Sequence, residues 1–244
     1  MLKYFRRTRQ KLFVEGSAKR YFFYAVGEII LVVIGILIAL QINNWNENRK
    51  DKILENEYLN RLLSDIEFDQ QWLKTYTLDR YAKKVKSLEI GKAYYQDNYI
   101  IKDTLQFLNI ISYGGVFGFA DWNLNKNTYN ELISTGNLRK IKSDILRTKI
   151  TDYYEESNAK SSTSKNYISS YINFINSFTA FNPKSPDSIS EFDQKLFLKH
   201  IKTEEYYRLA NSELTLAHRI SKFAKELIKK AEELTINIKA HLKE

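Results

Sequence analysis

Three histidines, His200, His218 and His241, are all that the 244-residue chain offers for imidazole chemistry, and it has no cysteine at all. None of the three stands in a His-x-x-x-His or Glu-x-x-His spacing, so nothing pairs them on one helix face as metal ligands. The serine cluster Ser161-Ser162-Thr163-Ser164 lacks the Gly-x-Ser-x-Gly turn that exposes a nucleophile. Carboxylates are plentiful, for example Asp65, Glu67, Asp69, Glu155 and Glu156, but their spacing reads as solvated helix faces rather than a converging pair. The glycine-rich stretch Tyr113-Gly114-Gly115-Val116-Phe117-Gly118-Phe119 lacks the Lys-Ser/Thr pair of a phosphate loop. Its aromatics Phe117 and Phe119, with Trp122, are expected either to plug the core or to line a ligand pocket. The expectation is a protein that is not an enzyme and holds no metal and no cofactor.

The one ionisable residue in an unusual setting is Glu28. It lies within the run from Tyr21 to Ile42, YFFYAVGEIILVVIGILIALQI, just before Ile29–Leu40, which has no polar side chain. As a helix these 22 residues would rise about 33 Å, enough for a hydrocarbon core of ~30 Å. At 100° per residue Glu28, Val32, Gly35 and Ala39 fall on one stripe. Gly35 and Ala39 form a small-xxx-small pair of the kind that lets helix backbones approach closely. The stripe is therefore the candidate surface for self-association, against the plainer reading in which Glu28 only snorkels toward lysines.

Charge orients this segment. Residues 1–23 hold seven basic side chains (Lys3, Arg6, Arg7, Arg9, Lys11, Lys19 and Arg20) against Glu15 alone. The other 221 residues are nearly balanced, with 31 basic and 28 acidic. The overall charge of +9 thus sits mostly in one stub and argues against nucleic-acid binding, which spreads its excess over a contact surface. Basic residues before the segment and Asn43, Asn44, Trp45, Asn46, Glu47 after it predict a cytoplasmic stub (1–20), a transmembrane helix (21–42) and an exported domain (43–244). No Ala-x-Ala-like site follows the apolar run, so the anchor is expected to stay uncleaved. So short a stub predicts no cytoplasmic output domain.

The exported part reads as helical throughout. Two prolines and eight glycines are too few for a sheet protein with many tight turns. Leu54, Tyr58, Leu62 and Ile66, then Leu73, Tyr76, Val85 and Leu88, predict one long helix to about Tyr95. Asp103–Ser112 and Thr128–Thr135 predict short helices, the second ended by Gly136 in a left-handed cap. Ser143 or Asp144 caps a helix to about Glu156, with Ile145, Leu146, Ile150 and Tyr153 inward. The polar run Ser157–Asn166 reads as a loop, Tyr167–Phe181 as a helix, and the proline-bearing stretch Asn182–Asp187 as a loop. Leu216, Ile220, Phe223, Leu227, Ala231, Leu234 and Ile238 mark a long closing helix, Glu204–Leu242, packed antiparallel. The fold class is all-α: a single N-terminal transmembrane helix followed by an extracytoplasmic bundle with long first and last helices.

Two stretches carry a resemblance. Gly27-Glu28-Ile29 through Gln41-Ile42-Asn43-Asn44-Trp45-Asn46-Glu47 resembles the signature of an uncharacterised single-pass inner-membrane protein family common in Bacteroidota. Thr128-Tyr129-Asn130-Glu131-Leu132-Ile133-Ser134-Thr135-Gly136-Asn137-Leu138, with Ile141 and Tyr153-Tyr154, resembles that family's second motif. The resemblance implies topology and compartment, an inner membrane facing a periplasm, and no activity. The function expected is a membrane-anchored scaffold or accessory subunit of the cell envelope. Its partners would be the lipid bilayer, a second copy of the chain and other envelope proteins. The alternative is a sensor-like helical domain with a ligand pocket between its helices.

Overall fold

A computed structural model describes residues 18–112, 115–116, 124–165, 169–178 and 189–243, and among these every regular element is helical. The chain divides into two units, residues 1–55 and 56–244. Helix α1 (Ala18–Trp72) begins in the first and ends in the second.

In the first unit α1 is a helix with no covered side. The large apolar side chains from Ile29 to Ile42 are each 46–64% exposed, and Phe22, Phe23 and Trp45 are exposed as well. An amphipathic helix would hide one stripe of these residues. This one hides none.

In the second unit the end of α1 passes through a π-helical turn (Leu73–Leu78) into α2 (Asp79–Tyr95). Residues Leu62, Ile66, Asp69, Leu73, Thr77, Tyr81, Lys84 and Leu88 are buried in sequence along it. From Asp69 to Tyr81 the buried positions advance by four at each step, which would carry an α-helical face steadily around its axis. The wider π turn absorbs that drift and keeps one face on the core. Tyr76 is displaced for the same reason. It is about half exposed and stacks on Trp72, with ring centroids 4.4 Å apart, instead of continuing the apolar face.

Four shorter helices follow: α3 (Thr104–Ile111), α4 (Asn127–Ser134), α5 (Asp144–Lys165) and α6 (Ser170–Asn176). Asp103 caps α3 through the Gln106 N–H, and Gly136, at φ +67°, supplies the left-handed residue after α4. A 3-10 turn (Asn137–Lys140) then leads to α5, whose Leu146 N–H is capped by Ser143. Two expectations about α5 fail. The helix does not stop near Glu156: it continues through the polar run to Lys165, burying the small Ser157 and Ser161 one and two turns after Tyr153. Lys160, paired with both Glu156 and Glu226, holds that extension. Ile145, expected inward, is 71% exposed because Leu146 occupies the core position.

Helix α7 (Glu191–Ile201) has no counterpart in the sequence reading; Ser190 caps it through the Asp193 N–H, and it buries Phe197 and Ile201. Helix α8 (Glu204–His241) closes the chain. Its buried positions, Tyr206, Ala210, Glu213, Ala217, Ile220, Ala224, Leu227, Ala231, Leu234 and Ile238, alternate steps of four and three without a break. That is the seam of a coiled-coil-like packing. The alanines place the seam one residue beyond Leu216 and Phe223, which flank it half-buried. Glu67–Lys239, Lys74–Glu232 and Lys84–Glu213 link α8 antiparallel to the long helix. Lys149–Asn237 and Lys160–Glu226 link it antiparallel to α5. A second cluster, with Leu88, Phe107, Ile111, Tyr171, Phe197 and Tyr206, joins α2, α3, α6, α7 and α8. There Gly91 is required, since a Cβ would collide with the buried Tyr206 hydroxyl.

Candidate functional site

The first candidate surface is α1 within the first unit. It is long and apolar enough to cross a membrane, by length and composition. Glu28, Val32, Gly35 and Ala39 all lie in it, with Val32, Gly35 and Ala39 exposed. A Cβ added at Gly35 would meet nothing within 4 Å, so this face is open. Phe117, Phe119 and Trp122 lie outside the described residues. Their neighbour Val116 is fully buried, and the chain at Gly115 runs so close to Ser87 and Ile110 that a Cβ would collide with both.

The second candidate is polar, and here the structure departs from the sequence expectation. Asp65 and Asp69 are not on a solvated face. They lie on successive turns of α1, 8% and 0% exposed, and converge on the segment that starts α4. Asp69 accepts hydrogen bonds from the Asn125 N–H at 2.7 Å and the Tyr153 hydroxyl at 3.1 Å. Asp65 accepts from the Asn125 side-chain amide at 2.7 Å and the Thr128 N–H at 3.2 Å, in the first turn of α4 where a carboxylate also meets the helix dipole. Burial pushes the Asp69 carboxyl up to about 7, with the charge of Asp65 adding to the shift. The hydrogen bonds from Asn125 and Tyr153, and the charge of Lys126, act against it. Burial also raises the phenols of Tyr153 and Tyr154, so both stay neutral at any physiological pH.

One helical turn before the pair, the same helix grips the rest of the segment. Arg61 forks onto both carboxylate oxygens of Glu131, at 2.5 and 3.2 Å, and the Tyr58 hydroxyl donates to Glu131 at 3.0 Å. The Asn137 side-chain amide in turn donates to Tyr58 at 3.0 Å. The Arg61 fork, then Tyr58, holds the Glu131 carboxyl below its ordinary range. Tyr129 stacks on Tyr154, with centroids 4.3 Å apart. Thr128, Tyr129, Glu131 and Asn137 of the motif, with Tyr153 and Tyr154, therefore carry docking contacts, while Asn130, Ser134 and Thr135 lie exposed on the outer side of α4 and its end. The motif is a clasp. What sequence reasoning missed was its receptor, Tyr58, Arg61, Asp65 and Asp69, whose i, i+3, i+4 spacing marks a single helix face.

A third polar group lies in the α8 seam. Lys84 and Glu213, with side chains 3% and 0% exposed, form an ion pair between α2 and α8, and the Ser169 hydroxyl donates to Glu213 at 2.7 Å. Nearby, Tyr171 donates to the Ile111 carbonyl at 2.8 Å. The histidines do not assemble. His200 stacks on Phe178 at 3.9 Å, His218 is exposed, and among the described residues no three His, Cys, Asp or Glu side chains gather as a metal site. A cleft of about 180 Å³ between α5 and α8 is lined by Lys149, Asp152, Tyr153, Lys230 and Glu233. It is smaller than the roughly 300–1,000 Å³ of ligand pockets.

Fold and sites together define an all-α protein with one long apolar helix near its N-terminus, followed by a helical domain clasped onto the continuation of that helix. The chain belongs to the Family of unknown function (DUF6090), whose profile matches residues 28–177. The match runs from Glu28 through the clasp and its receptor to the end of α6. No curated protein and no solved structure matches the chain.

Proposed function

We propose that the chain is a non-catalytic, membrane-anchored helical scaffold or accessory subunit of a bacterial cell envelope. In this reading residues 1–20 are cytoplasmic, 21–42 cross the inner membrane, and 43–244 lie in the periplasm. The observation that carries it is the uncovered apolar helix. Each large side chain from Ile29 to Ile42 leaves on the order of 100 Å² in contact with solvent, worth ~2.5 kcal/mol at 25 cal/mol/Å². Over some ten such residues that is about 25 kcal/mol, well beyond the 5–15 kcal/mol net stability of a typical domain. A bilayer removes that cost.

The seven basic residues before the segment support the orientation, and the resemblance to a Bacteroidota inner-membrane family supports the compartment. The saturation of the polar clusters supports a role without catalysis: the oxygens of Asp65 and Asp69 are taken by internal donors, and Lys84 and Glu213 face each other inside a helix seam. The partners in this reading are the lipid bilayer, a second copy through Glu28, Val32, Gly35 and Ala39, and other envelope proteins.

The chain has no cysteine, so a single one at Lys229, whose side chain is 79% exposed, reports sidedness cleanly. Lys229→Cys should react with a membrane-impermeant maleimide once the outer membrane is permeabilised. Reaction only after the inner membrane is broken would reverse the topology. Recovery of the chain from the soluble fraction would remove the anchor altogether. Mild-detergent purification with mass spectrometry of what copurifies then names the partner.

A further inference from the structure

We propose that the Asp65–Asp69 pair is a proton-operated latch, which holds residues 124–137 against the long helix while one proton is bound and slackens that hold when the proton leaves. The latch acts within the second unit and does not depend on which side of a membrane that unit lies.

The geometry places two carboxylates on adjacent turns, both buried, each oxygen accepting one hydrogen bond from a neutral donor. From every packed element the charges facing them are few. Their own helix adds each other and, one turn before Asp65 on the same face, Arg61, whose guanidinium is taken by Glu131 of α4. The preceding loop contributes Lys126, whose ammonium is engaged by the Asn158 side chain. Helix α4 presents Tyr129, and α5 presents Tyr153 and Tyr154. Helix α8 presents Lys230 and Glu233 across the cleft over Tyr153, where Lys230 pairs with Glu156 and Glu233 with Lys229. Two carboxylates thus share a buried site whose neighbouring cations are already engaged elsewhere, an arrangement that a proton relieves. The Tyr154 hydroxyl, within the field of both carboxylates, is buried with no hydrogen-bond partner among the described residues.

The sign follows from linkage. The docked carboxyl of Asp69 titrates at about 7 and the undocked one near its ordinary 3.8. Docking is therefore strongest below 3.8, weakens about tenfold per pH unit between about 4 and 7, and is flat above that. Residues 124–137 carry Asn125, Thr128, Glu131 and Asn137, so their release uncouples α4 from the long helix while α8 stays packed on it.

Hydrogen exchange of the full-length chain in nanodiscs tests this, with peptides from 124–137 compared at pH 5 and pH 8 after correction for intrinsic exchange. Protection should fall roughly 100-fold from pH 5 to pH 8 in the wild type. In Asp69→Asn, where the amide accepts from the Asn125 N–H and donates to the Tyr153 oxygen, it should change less than about threefold. Lys126→Met removes the opposing cation without touching the core and should move the transition to higher pH. A wild-type profile flat between pH 5 and pH 8 overturns the latch, as does an unchanged dependence in Asp69→Asn. Should Asp69→Asn fail to fold, a transition that stays put in Lys126→Met overturns it equally.

Discussion

Replacing Glu213 by leucine tests whether the buried ion pair stabilises the bundle or selects its register. Glu213 occupies a core position of the α8 seam, fully buried, opposite Lys84, which also lies 5.5 Å from the centre of the Tyr81 ring. Removing one partner strands the other charge in the seam, which costs about 3–5 kcal/mol. The loss of the Ser169 hydrogen bond adds about 1 kcal/mol, though Ser169 keeps its role of capping the Ile172 N–H. At this chain length each kcal/mol is worth about 2–4 °C, so Glu213→Leu should lower Tm by about 8–24 °C. The double variant Lys84→Met/Glu213→Leu leaves no stranded charge and should melt within about 5 °C of the wild type. Circular dichroism in mild detergent reads both. Cysteines replacing Gln70 and Thr235, whose side chains hydrogen-bond at 3.2 Å, report register through disulfide formation. The double variant should cross-link less cleanly, because an all-apolar seam no longer penalises a heptad slip. A Glu213→Leu protein melting within about 4 °C of the wild type would refute the reasoning.

Three further outcomes follow from packing. Leu227→Asp puts a carboxylate at a fully buried seam position and should cost several kcal/mol, read as loss of the cooperative melt. Gly91→Ala forces a Cβ into the Tyr206 hydroxyl and should cost about 1–3 kcal/mol; adding Tyr206→Phe should restore part of it, and the same melts detect the rescue. Gly35→Ile should lower the oligomeric state in mild detergent by light scattering, while Ile36→Leu should leave it unchanged. A wild-type chain that is monomeric in several detergents and in nanodiscs makes the Glu28–Val32–Gly35–Ala39 stripe coincidental.

The long helices were legible because their signals are local and repeat many times. Steps of three and four persist for eight turns in α8, and nothing breaks the chain between Ala18 and Tyr95 except a π turn that costs no glycine or proline. The short elements failed where composition and packing disagree. Ser157 and Ser161 look like loop residues, yet a helix that approaches another closely favours small side chains. Helix α7 buries only Phe197 and Ile201 fully, too few for a periodic stripe, and its cap, Ser190, lies just beyond the proline-bearing loop.

The clasp was half legible for a different reason. Its motif was visible as an unusual string of residues, Thr128 to Leu138 with Tyr153-Tyr154, but a string does not reveal what it binds. Asp65 and Asp69 alone resemble any exposed pair of helical acids, because helical periodicity assigns a face and not what covers it. Only when α4 is laid on that face do the acids acquire donors and lose water. Asp69, which would be ordinary in solvent, then becomes the most perturbed carboxyl among the described residues. The segment that needed recognising and the residues that receive it are about 60 positions apart, as the Asn125–Asp65 bond shows. Losing the acceptor oxygens of Asp65 or Asp69 therefore leaves a buried donor of the clasp unmet, whereas losing Arg61 leaves the half-exposed Glu131 carboxylate without its fork.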